Sequence, residues 1–319
     1  MPTPRFALPT WLICTLAAGV CWGVWGVLAK GPSRELSGWM THILFTIALV
    51  PSALYAACSR TMWVGSDKAR GIAWGFASGL LAAGGNIAFY QALENGAETA
   101  IAIPLTGIYP LVTIAIAYVA FHERLGRIQW LGVALAVVVM ILLSGEAGHL
   151  GDFRELLHHL ALKTWLFDAV AALVLWGVFS ATQKLSTNYV STELSYLSWC
   201  ASFATVTVFL LATRQQAWPT TAAMWWSGLA AGVFNGCGVI AAFAAYRLQG
   251  KAAVVTTIAA AIQPQVTVVL AVVFLGERVG PIEAIGIGLA IVAAVALSQD
   301  GIPPSRPGSA PLPPTKANV

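Results

Sequence analysis

Residues 88–144 and 242–298 are one stretch written twice, in register and without a gap, at a constant spacing of 154. Phe89 answers to Phe243, Gly96 to Gly250, Pro110 to Pro264, Glu123-Arg124 to Glu277-Arg278, Gly132 to Gly286 and Ser144 to Ser298. Of the 57 paired positions 19 are identical, more than a shared apolar composition would give. Upstream, the same spacing pairs Trp22-Gly23-Val24 with Trp176-Gly177-Val178 and Lys30 with Lys184. The chain is one unit duplicated, and both units are too apolar for water.

Composition decides the solvent. Charged residues make up 9% of the chain and hydrophobic residues 58%, where a soluble domain carries roughly 25% charge. Most of the surface must therefore face a lipid bilayer. The net charge of +4 comes from loop Lys and Arg and forms no nucleic-acid patch. Five cysteines (Cys14, Cys21, Cys58, Cys200, Cys237) fall in apolar stretches without metal-ligand spacing, so they read as small hydrophobes. Neither a metal nor a cofactor is expected. The apolar run after Trp11 recurs at 165–184 and has no small-residue cleavage site, so it reads as structure and not as a signal peptide.

A helix crossing ~30 Å of hydrocarbon needs about 20 mostly apolar residues. Ten segments qualify: 11–30, 39–58, 71–92, 97–121, 128–145, 165–184, 192–213, 224–246, 251–275 and 281–298. The expected fold is an all-α membrane protein of ten transmembrane helices in two five-helix repeats, 11–145 and 165–298. The Pro-rich tail at 299–319 is expected to be disordered. Five spans per copy is an odd number, so the second copy must be inverted relative to the first. With the N-terminus inside, 11 Lys and Arg fall on the cytoplasmic side and 6 outside, which favours both termini in the cytoplasm. Glycine ladders in the third span (Gly71, Gly75, Gly79) and the eighth (Gly228, Gly232, Gly236) read as grooves for close helix packing. Repeated membrane proteins of this kind are predominantly transporters.

Pro110 and Pro264 hold matching mid-span positions. Each removes a backbone donor and frees a carbonyl one turn earlier, which bilayer tolerates only beside protein or a water-lined cavity. They are candidates for a kink or gate. Around them Thr106, Tyr109 and Thr113 share one helix face, as do Thr256, Gln263 and Thr267 on the ninth span. Tyr109 pairs with Gln263 under the repeat and Thr113 with Thr267. A polar stripe shared by both halves is expected near the pseudo-axis, either touching solute or bonding helix to helix.

Asn86 and Tyr90 lie four apart on the third span, and Asn235 sits at the middle of the eighth; each is expected to face inward. Trp22, Trp25 and Trp176 lie mid-span, whereas membrane tryptophans normally sit at the interface. That placement gives a packed or cavity face, which Ser180 and Gln183 extend. Lys30 and Lys184 end their spans and read either as snorkelling to headgroups or as gate charges. Glu123-Arg124 and Glu277-Arg278 read as interface anchors. No carboxylate lies mid-span: Glu94, Glu98 and Asp168 are all near an end. Nucleotide-binding loops are lacking, and His122-Glu123 lacks the second histidine of a zinc-hydrolase helix.

The duplicated order of these motifs resembles the EamA-type transporters of the drug/metabolite transporter superfamily. The best stretches are "FYQALENGAETAIAIPLTGIYPLVTIAIAYVAFHERLGRIQWLGVAL" and "AAVVTTIAAAIQPQVTVVLAVVFLGERVGPIEAIGIGLAI". His122 stands where the family often has the glycine that Gly276 supplies in the second half. The resemblance implies a ten-helix inner-membrane permease, alternating its access around a central cavity and often exporting amino acids or other metabolites. The glutamate that small multidrug exporters carry in their first helix is absent from 11–30. Together the residues and the resemblance give a carrier for a small polar solute, not an enzyme, monomeric or homodimeric. A membrane enzyme would need clustered Ser/His, paired Asp or metal ligands at depth, which the spans do not show. A non-transporting sensor or scaffold is the remaining alternative.

Overall fold

The structure is a computed structural model that describes residues 9–121, 126–143, 163–215, 217–248 and 252–297. Every regular element among them is helical, apart from an isolated bridge between Gly65 and Val190. The first half contributes α1 (Thr10–Ser33), α2 (Gly38–Ala48), α3 (Val50–Ala57), α4 (Lys68–Glu94), α5 (Thr99–Thr106), α6 (Pro110–Phe121) and α7 (Arg127–Leu143). The second contributes α8 (Thr164–Tyr189), α9 (Thr192–Thr213), α10 (Ala222–Arg247), α11 (Ala252–Leu270) and α12 (Pro281–Leu297). One π-helical turn, Ala271–Leu275, continues α11. Among the described residues seven helices are long and apolar enough to cross a membrane, with shorter apolar helices at Thr99–Thr113 and Pro281–Ala293. Side chains such as Phe167, Val208, Phe209, Trp226 and Phe274 point outward from them, as lipid-facing residues must. The segment 299–319 and the Glu123-Arg124 pair lie outside the described residues.

Local chemistry sets the helix ends. Ser37, Asp67, Ser191 and Thr221 each accept the backbone N–H three residues on, the N-cap bond that satisfies an orphan donor. α4 and the α11 extension both end on a left-handed glycine, Gly96 (φ 96°) and Gly276 (φ 66°). In each case the next residue bonds back over the turn, Ala97 N to Ala92 O at 2.9 Å and Glu277 N to Ala271 O at 3.4 Å. Only glycine adopts this backbone freely, and it folds the chain back over the helix end.

The two prolines do not behave alike. The segment expected as the fourth span is divided: α5 stops at Thr106, and α6 starts at Pro110. Pro110 has no N–H for the Thr106 carbonyl, which instead accepts from Tyr109 N at 3.0 Å. The residue before a proline is also pushed out of the helical region, so the chain passes 107–109 in tight turns. Pro264 sits inside the uninterrupted α11. The repeat positions match in sequence and differ in conformation.

Packing crosses between the halves. α1 runs antiparallel to α10, with Gly31 near Ser227 and Gly238 against Trp22. α8 runs antiparallel to α4, with Gly71 against Val190 and Gly85 against Trp176. The ladder Gly71, Gly75, Gly79 faces Val190, Ser198 and Ser202; the ladder Gly228, Gly232, Gly236 faces Leu44, Ala48 and Leu49. Both ladders let backbones approach where a larger residue would hold them apart. The largest apolar cluster among the described residues therefore draws on both halves.

Candidate functional site

At the centre of this shared core lies a cavity with about 430 Å³ of space between atoms, part of it continuous with the outside. Its wall is built from α1 (Trp22, Trp25), α4 (Ala82, Asn86), α8 (Trp176, Phe179, Ser180), α9 (Trp199), α10 (Asn235, Val239), α11 (Gln263) and the turn residue Tyr109. Among the described residues, no charged side chain lines it. Aromatic faces and amides make up most of the wall, as in sites that hold small organic solutes by shape and a few hydrogen bonds.

The repeat explains how the tryptophans arrive there. Trp22 and Trp176 are equivalent positions, and each ring lies on a glycine of the other half. A Cβ at Gly238 would stand 2.5 Å from Trp22 Nε1, and one at Gly85 2.5 Å from Trp176 Cδ1. Trp176 Nε1 donates to Asn86 Oδ1 across 3.1 Å, and Trp25 Nε1 to the Tyr90 hydroxyl across 3.1 Å. Trp25, Phe89 and Trp176 pack ring on ring with centroids 5.1 to 5.6 Å apart. Tyr90 is fully buried behind this cluster.

Of the residues singled out from sequence, Trp22, Asn86, Tyr109, Trp176 and Gln263 come together on the cavity wall. Thr113 and Thr267 stand off it. Their hydroxyls donate to the carbonyls of Gly177 at 2.8 Å and Gly23 at 2.9 Å, tying α6 and α11 to the Trp-Gly pair of the other half. Pro110 and Pro264 are buried beside the cavity, and Gly107 packs on Pro264. Trp199 was missed by the sequence reading, although its mid-span position on α9 carried the same signal as Trp22 and Trp176. Ala82 and Val239 gave no signal, because small apolar residues line packed and open faces alike.

The lysines hold helix ends. Lys30 donates to the carbonyls of Leu93 (3.4 Å) and Ala97, and Lys184 to that of Tyr246 (3.1 Å). The cations of α1 and α8 thus sit on C-terminal carbonyls of α4 and α10, where the helix dipole favours positive charge. Around Lys30 opens a second pocket with about 970 Å³ of space, part of it continuous with the outside, lined by Arg34, Glu94, Glu98, Glu277 and Arg278 among others. Glu277 is turned back by Gly276 and accepts from the backbone of Thr99 (3.0 Å) and Ala100 (2.7 Å), so a carboxylate of the second half caps α5 of the first. In the loop before α5, burial and the neighbouring Glu277 charge raise the Glu98 pKa above the usual carboxylate value. Of the other peripheral acids, Glu94 accepts from Gly38 N at 2.8 Å and Asp168 from Asn95 Nδ2 at 2.8 Å. Among the described residues, no group of three His, Cys, Asp or Glu side chains is placed to hold a metal.

A helical, multi-pass membrane protein built from two sequence repeats around one uncharged cavity is the class these features define. The EamA-like transporter family model matches residues 9–145 and 163–299, and the chain belongs to that family. It is thereby placed in a class of membrane transporters for small solutes. No curated protein matches the chain. Among 23 matching chains of solved structures, one described only as the crystal structure of a protein is 19% identical. It has a TM-score of 0.62, with 90% of this chain and 98% of that chain covered. At that identity the likeness speaks for the fold alone.

Proposed function

We propose that the chain is a ten-span carrier of two inverted repeats, 11–145 and 165–298, that moves a small polar metabolite through the central cavity by alternating access. The observation carrying this reading is the cavity itself: an uncharged wall of indoles and amides drawn from both halves. A cavity this narrow must widen toward one side or the other to pass a solute, which gives two forms. The unequal prolines support exchange between two such forms, since a broken α5–α6 and a continuous α11 are two conformations of one repeat position. Inverted repeats alternate by rocking or gating one repeat against the other around a fixed site. Export, residence in the inner membrane and cytoplasmic termini, with 299–319 as a cytoplasmic tail, follow from the family likeness and the loop charges. The carrier works as a monomer or homodimer and does no covalent chemistry.

The test is uptake into sealed proteoliposomes of labelled amino acids and sugars, with and without a pH gradient. Accumulation of one solute only under a gradient makes the protein a coupled transporter; equilibration without one makes it a facilitator. A folded sample that moves nothing returns the weight to a sensor or scaffold.

A further inference from the structure

Two side chains of the cavity wall each carry a buried donor without a partner among the described residues. The indole N–H of Trp176 is a donor only, so the Asn86 amide must turn Oδ1 toward it. That orientation commits Nδ2 to the opposite direction, where it is buried and has no partner among the described residues. Trp199 is fully buried, stacked against Tyr196 and Phe203, and its Nε1 is likewise buried without a partner. Both side chains line the central cavity. The other groups without partners among the described residues, including His42 and Thr207, do not line it. A buried donor left unpaired costs more than an ordinary hydrogen bond returns, and such groups in a folded protein call for an occupant.

We propose that Asn86 Nδ2 and Trp199 Nε1 form an oxygen-acceptor subsite that selects solutes bearing a carbonyl or carboxylate oxygen. The inference rests on reading the central cavity as the solute site. Both unpaired atoms are donors, so a cation without an acceptor leaves them unsatisfied, whereas an acceptor oxygen can pair with a donor. A site built to hydrogen-bond its ligand rejects the analogue that lacks the bonding group far more strongly than an apolar pocket rejects a change of shape. No Lys or Arg lines the cavity among the described residues, so the subsite works by hydrogen bonding and not by charge pairing.

Equilibrium dialysis of the purified full-length protein with labelled phenylacetamide, phenylacetate and phenethylamine tests this. The three share one ring and differ in the head: a neutral oxygen, an oxyanion, or an ammonium without an acceptor. At least one oxygen-bearing probe is expected to bind about tenfold more tightly than phenethylamine; whichever is tighter assigns the charge the subsite prefers. Trp199→Phe keeps the ring and removes the donor, and is expected to lower that probe's affinity about tenfold while leaving phenethylamine unchanged. Asn86→Asp keeps the acceptor for Trp176 and replaces the free donor, and is expected to abolish or reverse the preference. If it does not fold, Trp199→Phe decides. The proposal is overturned by equal or tighter binding of phenethylamine, by no binding of any probe, or by a preference that survives Trp199→Phe. Binding needs no transport: a protein that shows the preference but moves nothing in vesicles keeps the subsite and loses the carrier reading. Transport without the preference does the reverse.

Discussion

Thr267 donates its hydroxyl to the Gly23 carbonyl across 2.9 Å, joining α11 to α1. Thr113 repeats the bond with Gly177 across 2.8 Å, with both partners 154 residues away from their counterparts. Each bond leaves one half and ends in the other. Thr267→Val and Thr113→Val should each lower stability by about 0.6 kcal/mol, the average for such a bond between membrane helices. Thermal unfolding in detergent reads that loss. Substrate affinity should not change, because neither hydroxyl lines the cavity; a shifted transport KM would put them back in the solute path.

Gly23 and Gly177 allow those bonds by letting the spans touch. A Cβ at Gly23 would lie 2.5 Å from Val266 Cβ and 2.9 Å from the Gln263 carbonyl. At Gly177 the same distances are 2.5 Å to Val112 Cβ and 2.8 Å to the Tyr109 carbonyl. Gly23→Ala and Gly177→Ala should each cost about 1–3 kcal/mol through overpacking. Adding Val266→Ala or Val112→Ala should restore part of the loss, and an unrecovered double mutant would show that the backbone contact dominates.

Glu277 closes the N-terminus of α5 from the other half of the chain. Glu277→Ala should destabilise α5 by roughly 0.5–2 kcal/mol, the range for a lost N-cap. Hydrogen exchange at Thr99 and Ala100 should accelerate first. Unchanged protection at those two amides would mean that water replaces the carboxylate.

Glu98 is expected to work against the fold at neutral pH. Its pKa is raised in the folded protein by burial and by the Glu277 charge, so the folded state holds the proton more tightly than the unfolded chain. Stability on this account is full below the unfolded pKa and declines as pH rises through the folded one. Glu98→Gln should therefore raise the melting temperature at neutral pH and leave it unchanged in acid below the ordinary Glu pKa. The gain should be small, since Glu98 is exposed and solvent screens it. Equal effects at both pH values would rule the mechanism out.

Pro264 lies in a continuous helix, whereas its counterpart Pro110 begins one. If the two spans trade conformations during transport, α11 must break at Pro264 in the opposite form. Pro264→Ala restores a backbone donor and should slow transport in proteoliposomes several-fold with little or no loss of thermal stability. An unchanged rate would remove Pro264 from the gating step.

The constant spacing of 154 and the scarcity of charge were enough to give a duplicated, helical membrane protein and the pairs of positions that behave alike. They also picked out much of the cavity wall, because a mid-span amide or tryptophan must find a partner away from lipid. Helical periodicity assigns a residue to a face but does not say what that face meets. Thr113 and Tyr109 belong to one stripe in sequence, yet one bonds a glycine carbonyl and the other reaches the cavity. Trp199 gained its place only when α9 folded against α4, and Glu277 its role only when Gly276 turned it back onto α5. Identical prolines took different conformations, since each helix answers to neighbours far along the chain. Duplication and solvent are properties of the chain's chemistry, and the sequence determines them alone. Which polar atom is satisfied by its own helix, by the other half or by a solute depends on distances between spans, and only the tertiary structure decides those.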